Sequence, residues 1–194
     1  MLMERGCTVS SKGAFGYTAL HQVAYTPFVK LCEFLLANGA NMDALSRNGS
    51  TPLLIAAREG HASVVATLLA HRADPNDGGD KGLTPLLMAS AEGHLDTVRL
   101  LLLYKADATE SLFEGRTPLH EAAEAGHTDV CLELIREGHA SILAADKEGI
   151  TPLMIAAKHQ GLGQLMTDLV PKTPHSGKLK AEVSRLPPAA ALAN

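Results

Sequence analysis

Apolar residues between positions 51 and 79 recur in two short blocks separated by turn-forming residues. Thr51 and Pro52 are favoured at a helix N-cap and at the first helical position, and Gly60 suits the positive φ that ends a helix. A second stripe follows the helical spacing i, i+1, i+4 and i+5, at Val64, Val65, Leu68 and Leu69. Residues 74–79, Asp-Pro-Asn-Asp-Gly-Gly, are dense in turn formers. The pattern predicts helix, tight turn, helix and long turn.

The same pattern recurs along the chain, and each copy opens with a threonine. These threonines are separated by 33, 33, 33 and 34 residues, and they are Thr18, Thr51, Thr84, Thr117 and Thr151. We number units 1 to 5 after them. Helices this short are not stable alone in water. Each unit must therefore bury its apolar stripe against neighbouring units, as repeat proteins do.

The opening segments are closely similar to one another. They read TALHQVA, TPLLIAA, TPLLMAS, TPLHEAA and TPLMIAA, and a Gly-His pair follows in units 2, 3 and 4. This pattern resembles the ankyrin repeat over roughly residues 2–170. The resemblance implies an all-α solenoid of stacked helix-turn-helix units, joined by long β-turn or hairpin-like loops. It also implies a non-catalytic protein-binding module or scaffold.

Some positions depart from the ankyrin pattern. Ala19 replaces the motif proline in unit 1, and unit 5 has no Gly-His pair. His21 and His120 match the motif histidine, which the other units replace with Leu54, Leu87 and Met154. Unit 4 carries one extra residue near Gly138-His139-Ala140. We expect the extra residue to lie in the turn.

The chain divides into three predicted parts. Residues 1–13 resemble the end of a truncated repeat, 14–170 hold five repeats, and 171–194 form a tail that is predicted to be disordered. The repeats are expected at 14–46, 47–79, 80–112, 113–146 and 147–170, with the last degenerate. A start inside a second helix predicts a piece of a longer array, and the alternative is an unusual short cap. Either way, apolar residues of unit 1 are expected to be under-covered.

Composition narrows the class of partner. Seventeen basic and 21 acidic residues give a net charge of -4, so we expect no nucleic-acid partner. The three cysteines form no C-x-x-C motif and fit a reducing intracellular compartment, cytoplasmic or nuclear. No apolar run is long enough to cross a membrane. The expected molecule is a monomer that binds another protein.

The histidines invite a catalytic or metal-binding interpretation that the spacing does not favour. His61, His94 and His127 are 33 residues apart and therefore occupy equivalent places in successive units. We expect them to end the first helix and to hydrogen-bond neighbouring backbone. No nucleophile, zinc-protease, phosphate-loop or dinucleotide motif occurs. The sequence predicts no catalytic, cofactor or metal residues.

The resemblance places partner contacts at the turn tips and on the concave, exposed face of the first helices. In this sequence the residues at those positions vary from unit to unit, and aromatics, which are enriched in binding hot spots, stand out among them. The predicted partner-binding residues are Phe15, Tyr17, Tyr25, Arg47, Arg58, Lys81, Phe113, Arg116, Glu124 and Lys147. The alternative for Phe15 and Phe113 is that they fold back onto their turns.

Two further functional hypotheses remain. The first is a substrate-recognition adaptor for a ubiquitin ligase, because residues 178–187 faintly resemble a SOCS box, with Val183 where a cysteine is expected. The second is the targeting fragment of a larger multidomain protein.

Overall fold

The computed structural model describes residues 9–111 and 114–159, and these residues form nine α-helices and no strand. Units 1 to 4 each contribute a pair of helices, and unit 5 contributes one. The first helices are α1 (Ala19–Ala24), α3 (Pro52–Arg58), α5 (Pro85–Ala91), α7 (Pro118–Ala125) and α9 (Pro152–Ala156). The second helices are α2 (Val29–Ala37), α4 (Ala62–Ala70), α6 (Leu95–Leu103) and α8 (Thr128–Arg136). The all-helical repeat architecture is as predicted.

The helices form two layers. Each first helix contacts the first helix of the next unit, from α1 to α9, and α2, α4, α6 and α8 contact one another in the same order. The core lies between the layers. Its largest fully buried side chains include one leucine from each of six helices: Leu20, Leu68, Leu86, Leu101, Leu119 and Leu134.

The motif threonines cap the first helices in two ways. In units 2, 3 and 5 the threonine hydroxyl accepts the backbone N–H three residues later, at 3.2 to 3.3 Å. In unit 1 the ring of His21 completes a reciprocal capping box, with its Nδ1 accepting the Thr18 N–H at 3.1 Å. His120 and Thr117 repeat this arrangement in unit 4 at 3.0 Å. The motif histidine therefore caps its own helix.

The same histidines also join consecutive units. Nε2 of His21 lies 3.0 Å from the carbonyl oxygen of Ser50, and Nε2 of His120 lies 3.2 Å from that of Ile150. Because Nδ1 accepts a backbone N–H, the proton must be on Nε2, so both rings are neutral and donate to the next unit. Burial lowers the pKa of both histidines.

The loops between units form a continuous row of turns. In the loop before Thr51 the Ser46 N–H donates to the Ser50 carbonyl, and in the loop before Thr151 the Asp146 N–H donates to the Ile150 carbonyl. Successive tips are joined by backbone hydrogen bonds, as between Arg47 N–H and Phe15 O at 2.9 Å. The loop before Thr84 instead contains a 3-10 turn, Gly79–Lys81. Its Asp80 N–H donates to Gly49 O.

The extra residue of unit 4 lies in the turn after α8, as predicted. In units 1 to 3 the alanine after the second helix donates its N–H to a carbonyl five residues earlier, as Ala73 does to Leu68. In unit 4, Ala140 donates to Leu134, six residues earlier, at 3.0 Å. The turn widens by one residue, and His139 takes a positive φ of 52° there.

The apolar face of α2 is under-covered, as expected for unit 1. Leu31 is 46% exposed, whereas the equivalent Val64, Thr97 and Val130 are 0 to 1% exposed. Phe28 and Phe34 stand three residues to either side of Leu31 and are also exposed. In the later units, the preceding second helix covers this position.

Unit 3 contains two buried hydroxyls without a hydrogen-bond partner, Ser90 Oγ and Thr97 Oγ1. The equivalent residues in units 2 and 4 are alanine (Ala57 and Ala123) and valine (Val64 and Val130), so both hydroxyls stand where the repeat otherwise places an apolar group. An unsatisfied buried hydroxyl is destabilising.

Thr97→Val should therefore raise the free energy of unfolding by about 1 kcal/mol, because it removes an unpaired hydroxyl without changing volume. Ser90→Ala should act in the same direction. Urea unfolding followed by circular dichroism measures both. Thr67→Val is the control, since Thr67 is hydrogen-bonded to the Ser63 carbonyl and should give no gain. Equal gains at Thr67 and Thr97 would contradict the explanation.

Stability should also fall in mild acid. Because the folded pKa of His21 and His120 lies below the ordinary value of 6.5, the unfolded chain takes up protons first as the pH drops. The stabilisation is complete above pH 6.5 and is lost as the pH falls toward the folded pKa, with a slope of at most about 1.4 kcal/mol per pH unit for each ring. Urea unfolding at pH values from 7.5 to 5 gives the free energy of unfolding as a function of pH. This pH dependence should be shallower in the His21→Leu/His120→Leu double variant than in the unchanged protein. An unchanged slope would show that other groups carry the effect.

Candidate functional site

Except at Ile55 and Ile155, which are buried, three positions in each unit are exposed or half-buried and lie on one side of the first-helix layer. They are the residue before the motif threonine and the fourth and seventh residues after it, and we call them the triplet of that unit. The last two are three residues apart on a helix and so share a face. The triplets are Tyr17, Gln22 and Tyr25; Ser50, Ile55 and Arg58; Leu83, Met88 and Ala91; Arg116, Glu121 and Glu124; and Ile150, Ile155 and Lys158.

An aromatic and basic cluster joins units 1 and 2. The hydroxyls of Tyr17 and Tyr25 lie 3.0 Å apart, and their rings meet edge to face with centroids 5.9 Å apart. Arg58 of unit 2 donates to the Tyr25 hydroxyl at 3.3 Å, its guanidinium lies 5.8 Å from the Tyr25 ring centroid, and it pairs with Glu59 at 2.9 Å. These contacts hold the two tyrosine rings in place at the surface.

Electrostatics keeps Tyr17 and Arg58 protonated at neutral pH. The hydrogen bond with Tyr25, followed by burial, raises the pKa of Tyr17. Burial acts to lower the pKa of Arg58, but Glu59 and Tyr25 outweigh it and the pKa is raised. The cluster therefore presents hydroxyl groups and a permanent cation.

The triplet of unit 4 is an ion triad. The Arg116 guanidinium donates to Glu121 at 2.6 Å and also to Glu124. Burial acts to lower the pKa of Arg116, but the two carboxylates outweigh this effect, and the pKa is raised. One cation between two anions leaves a formal charge of -1 on the triad, and the Glu124 side chain is 62% exposed.

The triplet of unit 3, between these two clusters, has no charged residue. Leu83, Met88 and Ala91 are all half-buried. The equivalent residues of unit 4 are the charged Arg116, Glu121 and Glu124. The surface thus passes from aromatic and basic, through apolar, to acidic.

The remaining predicted residues lie at the turn tips. Phe15 is 65% exposed, so its ring does not pack onto its turn, and its backbone takes a positive φ of 57°. Arg47, Lys81 and Lys147 are exposed as well. Phe113 lies outside the described residues.

Sequence reasoning missed the fourth position after the threonine. Gln22, Met88 and Glu121 stand there, and none of them is among the predicted partner-binding residues. The signal was available, because this position changes from Gln to Ile, Met, Glu and Ile, whereas the leucine two residues after the threonine is the same in all five units.

The Gly-His pairs hold consecutive units together. Nε2 of His94 lies 2.9 Å from the Arg58 carbonyl, and Nε2 of His127 lies 3.1 Å from the Ala91 carbonyl, each in the preceding unit. The prediction that these histidines end the first helix is wrong, because they occupy the N-cap position of the second helix. These contacts fix the carbonyls of two triplet residues, Arg58 and Ala91.

The glycines of the same Gly-His pairs leave room for the histidine ring of the next unit. A Cβ on Gly60 would lie 2.5 Å from the His94 ring, and one on Gly93 would lie 2.6 Å from the His127 ring. Both glycines also have a positive φ.

Among the described residues, the cysteine thiols are not activated as nucleophiles, and no cluster suited to a metal ion occurs. Burial raises the pKa of Cys32 to about 11 and that of Cys131 to about 12, so neither thiol ionises at neutral pH. No group of three or more histidine, cysteine, aspartate or glutamate side chains suited to a metal ion occurs among residues 9–111 and 114–159. Within the same ranges, no helix is long and apolar enough to cross a membrane.

Comparison with known proteins agrees with the repeat geometry. The family described as ankyrin repeats in three copies matches residues 1–78, 20–111 and 86–172. The chain belongs to the ankyrin-repeat family. Ankyrin repeats are non-catalytic modules for protein–protein interaction.

Two relatives share part of this ankyrin array. An ankyrin and IPT/TIG repeat-containing protein of Schizosaccharomyces pombe is 34% identical over 58 residues, which is 30% of this chain and 5% of that protein. The mouse (Mus musculus) protein fem-1 homolog A-like is 39% identical over 64 residues, which is 33% of this chain and 10% of that protein. The alignments therefore span only a small part of either relative.

The Gly-His contact predicts unequal effects of two glycine substitutions. Gly60→Ala should destabilise the protein by about 2 kcal/mol more than Gly39→Ala, because both positions have a positive φ but only Gly60 faces a ring. Removing the ring with His94→Ala should lower the additional cost of Gly60→Ala. Denaturant unfolding of the four variants tests this, and equal costs for the two glycine substitutions would contradict the assigned contact.

Proposed function

We propose that this chain is a non-catalytic binding module that captures a partner protein through its turn tips and the triplets of its first helices. The observation that carries the proposal is the contrast within each unit. The motif threonine, the buried leucines and the Gly-His pairs repeat and hold the stack together, whereas the triplets change in chemistry from unit to unit.

The aromatic cluster is the proposed centre of binding. Tyr17 and Tyr25 are half-buried and held by a hydrogen bond and by Arg58, so little side-chain freedom is lost when a partner covers them. Rigid aromatic residues beside an arginine are the usual composition of binding hot spots. Phe15 adds an exposed apolar ring on the tip of the same unit.

The charged residues set the expected kind of partner. Arg47, Lys81 and Lys147 give the tips positive charges that steer encounter rather than supply most of the affinity. The net charge of -4 argues for a protein partner over nucleic acid. The ubiquitin-ligase adaptor hypothesis rests on residues 178–187, which lie outside the described residues, and it stays a prediction.

The test compares two sets of aromatic substitutions in the tagged full chain. Phe15→Ala/Tyr17→Ala/Tyr25→Ala should lower partner recovery from a lysate of the source cells at least tenfold, measured by quantitative mass spectrometry. Phe28→Ala/Phe34→Ala is the matched control, because these two rings are similarly exposed but lie on the second-helix layer.

Circular dichroism establishes that both variants are folded. Undiminished capture by the folded triple variant would contradict the proposal. Loss of capture in the control alone would move the binding surface to α2.

A further inference from the structure

We propose that the triplets of units 2 to 4 bind an extended segment of another protein, one that carries an apolar side chain and, about three residues away, an arginine or lysine. This inference rests on the proposed function, because it assumes that the triplets are the surface that captures the partner. It adds the chemistry of the captured segment.

The apolar side chain is assigned to unit 3. Leu83, Met88 and Ala91 are half-buried and carry no group that hydrogen-bonds strongly, so an apolar side chain can cover them without stranding a polar atom. Ala91 is the smallest residue at its position, where the other units have Tyr25, Arg58, Glu124 and Lys158. Unit 3 therefore has the smallest side chain at this position, and the units on either side of it have larger ones.

The basic residue is assigned to unit 4. Arg116 neutralises only one of its two carboxylates, and Glu124 keeps an exposed oxygen that Arg116 does not occupy. Glu92 follows Ala91 in unit 3, and Glu114 lies two residues before Arg116 in unit 4, so these two units carry further acidic residues. A cation here completes a charge-assisted pair.

The opposite side of unit 3 excludes a second basic residue. Arg58 stands there paired with Glu59, and the exposed Arg47 and Lys81 side chains at the neighbouring tips are positive. A carboxylate on the segment suits this side, and like charge disfavours the reverse orientation. The basic tip residues therefore lie on the unit 2 side of the apolar triplet and the acidic triad lies on its unit 4 side, with Lys147 and Lys158 of unit 5 beyond the triad.

The spacing follows from the helix stack. Neighbouring first helices are in contact, and packed helices lie about 8–10 Å apart. An extended chain advances about 3.3 Å per residue, so about three residues span one unit. The apolar and basic side chains of the segment are therefore expected about three positions apart.

A displayed library of random 12-residue peptides tests this chemistry on the immobilised full chain. Enriched peptides should share an apolar residue with Arg or Lys about three positions away. For such a peptide, Ala91→Glu and, separately, Leu83→Glu should weaken binding at least tenfold, measured by fluorescence anisotropy. Glu124→Lys should shift the selection from basic to acidic residues at the third position, whereas Glu137→Lys, an exposed residue after α8, should leave it unchanged.

The outcomes separate this inference from the proposed function. Peptides that lose binding with Ala91→Glu but lack the apolar and basic pair would overturn the inference and leave the surface assignment standing. Enriched peptides that ignore Ala91, Leu83 and Glu124 would overturn the inference, and the aromatic substitutions would still decide the proposed function. No enrichment at all would overturn the inference, and the aromatic substitutions would still decide the proposed function independently.

Discussion

The structure depends on one constraint, which is that no unit can bury its own apolar face. The helices of the described residues are only five to nine residues long, so their hydrogen bonds alone cannot stabilise them. Each is stabilised by contact with the same helix of the next unit, and His21, His94, His120 and His127 add hydrogen bonds across these contacts. Where a face lacks such a neighbour among the described residues, as at Leu31, apolar surface is exposed.

This constraint divides the residues of each unit between two tasks. Residues that face another unit must repeat, because every interface has the same geometry. Triplet residues other than the buried Ile55 and Ile155 are exposed or half-buried, so packing restricts their chemistry less. In units 1 and 4 this freedom is used for preorganised clusters, the tyrosine pair with Arg58 and the Arg116 triad, whereas unit 3 is left small and apolar.

Local chemistry made most of the fold predictable. Thr51 and Pro52 cap α3, Gly60 takes a positive φ, and the extra residue of unit 4 lies in its turn, all as the sequence indicated. What depends on a neighbouring unit was harder to predict. The partner of His94 is a carbonyl 36 residues earlier, and the unpaired hydroxyls of Ser90 and Thr97 emerge only when burial is known. For the candidate site, sequence position identified Tyr17, Tyr25 and Arg116, but not their pairing with Arg58 and Glu121.

The central claim, that the first-helix triplets bind the partner while the second-helix layer does not, is tested most directly by site-specific photo-crosslinking. Benzoylphenylalanine would replace Ala91 in one protein and Leu103 in another. Leu103 is the rival position, because it is 71% exposed and apolar at the end of α6. The account predicts that, after irradiation in lysate, the partner is crosslinked from position 91 and not from position 103. Crosslinking from position 103 alone would contradict it and place recognition on the opposite layer.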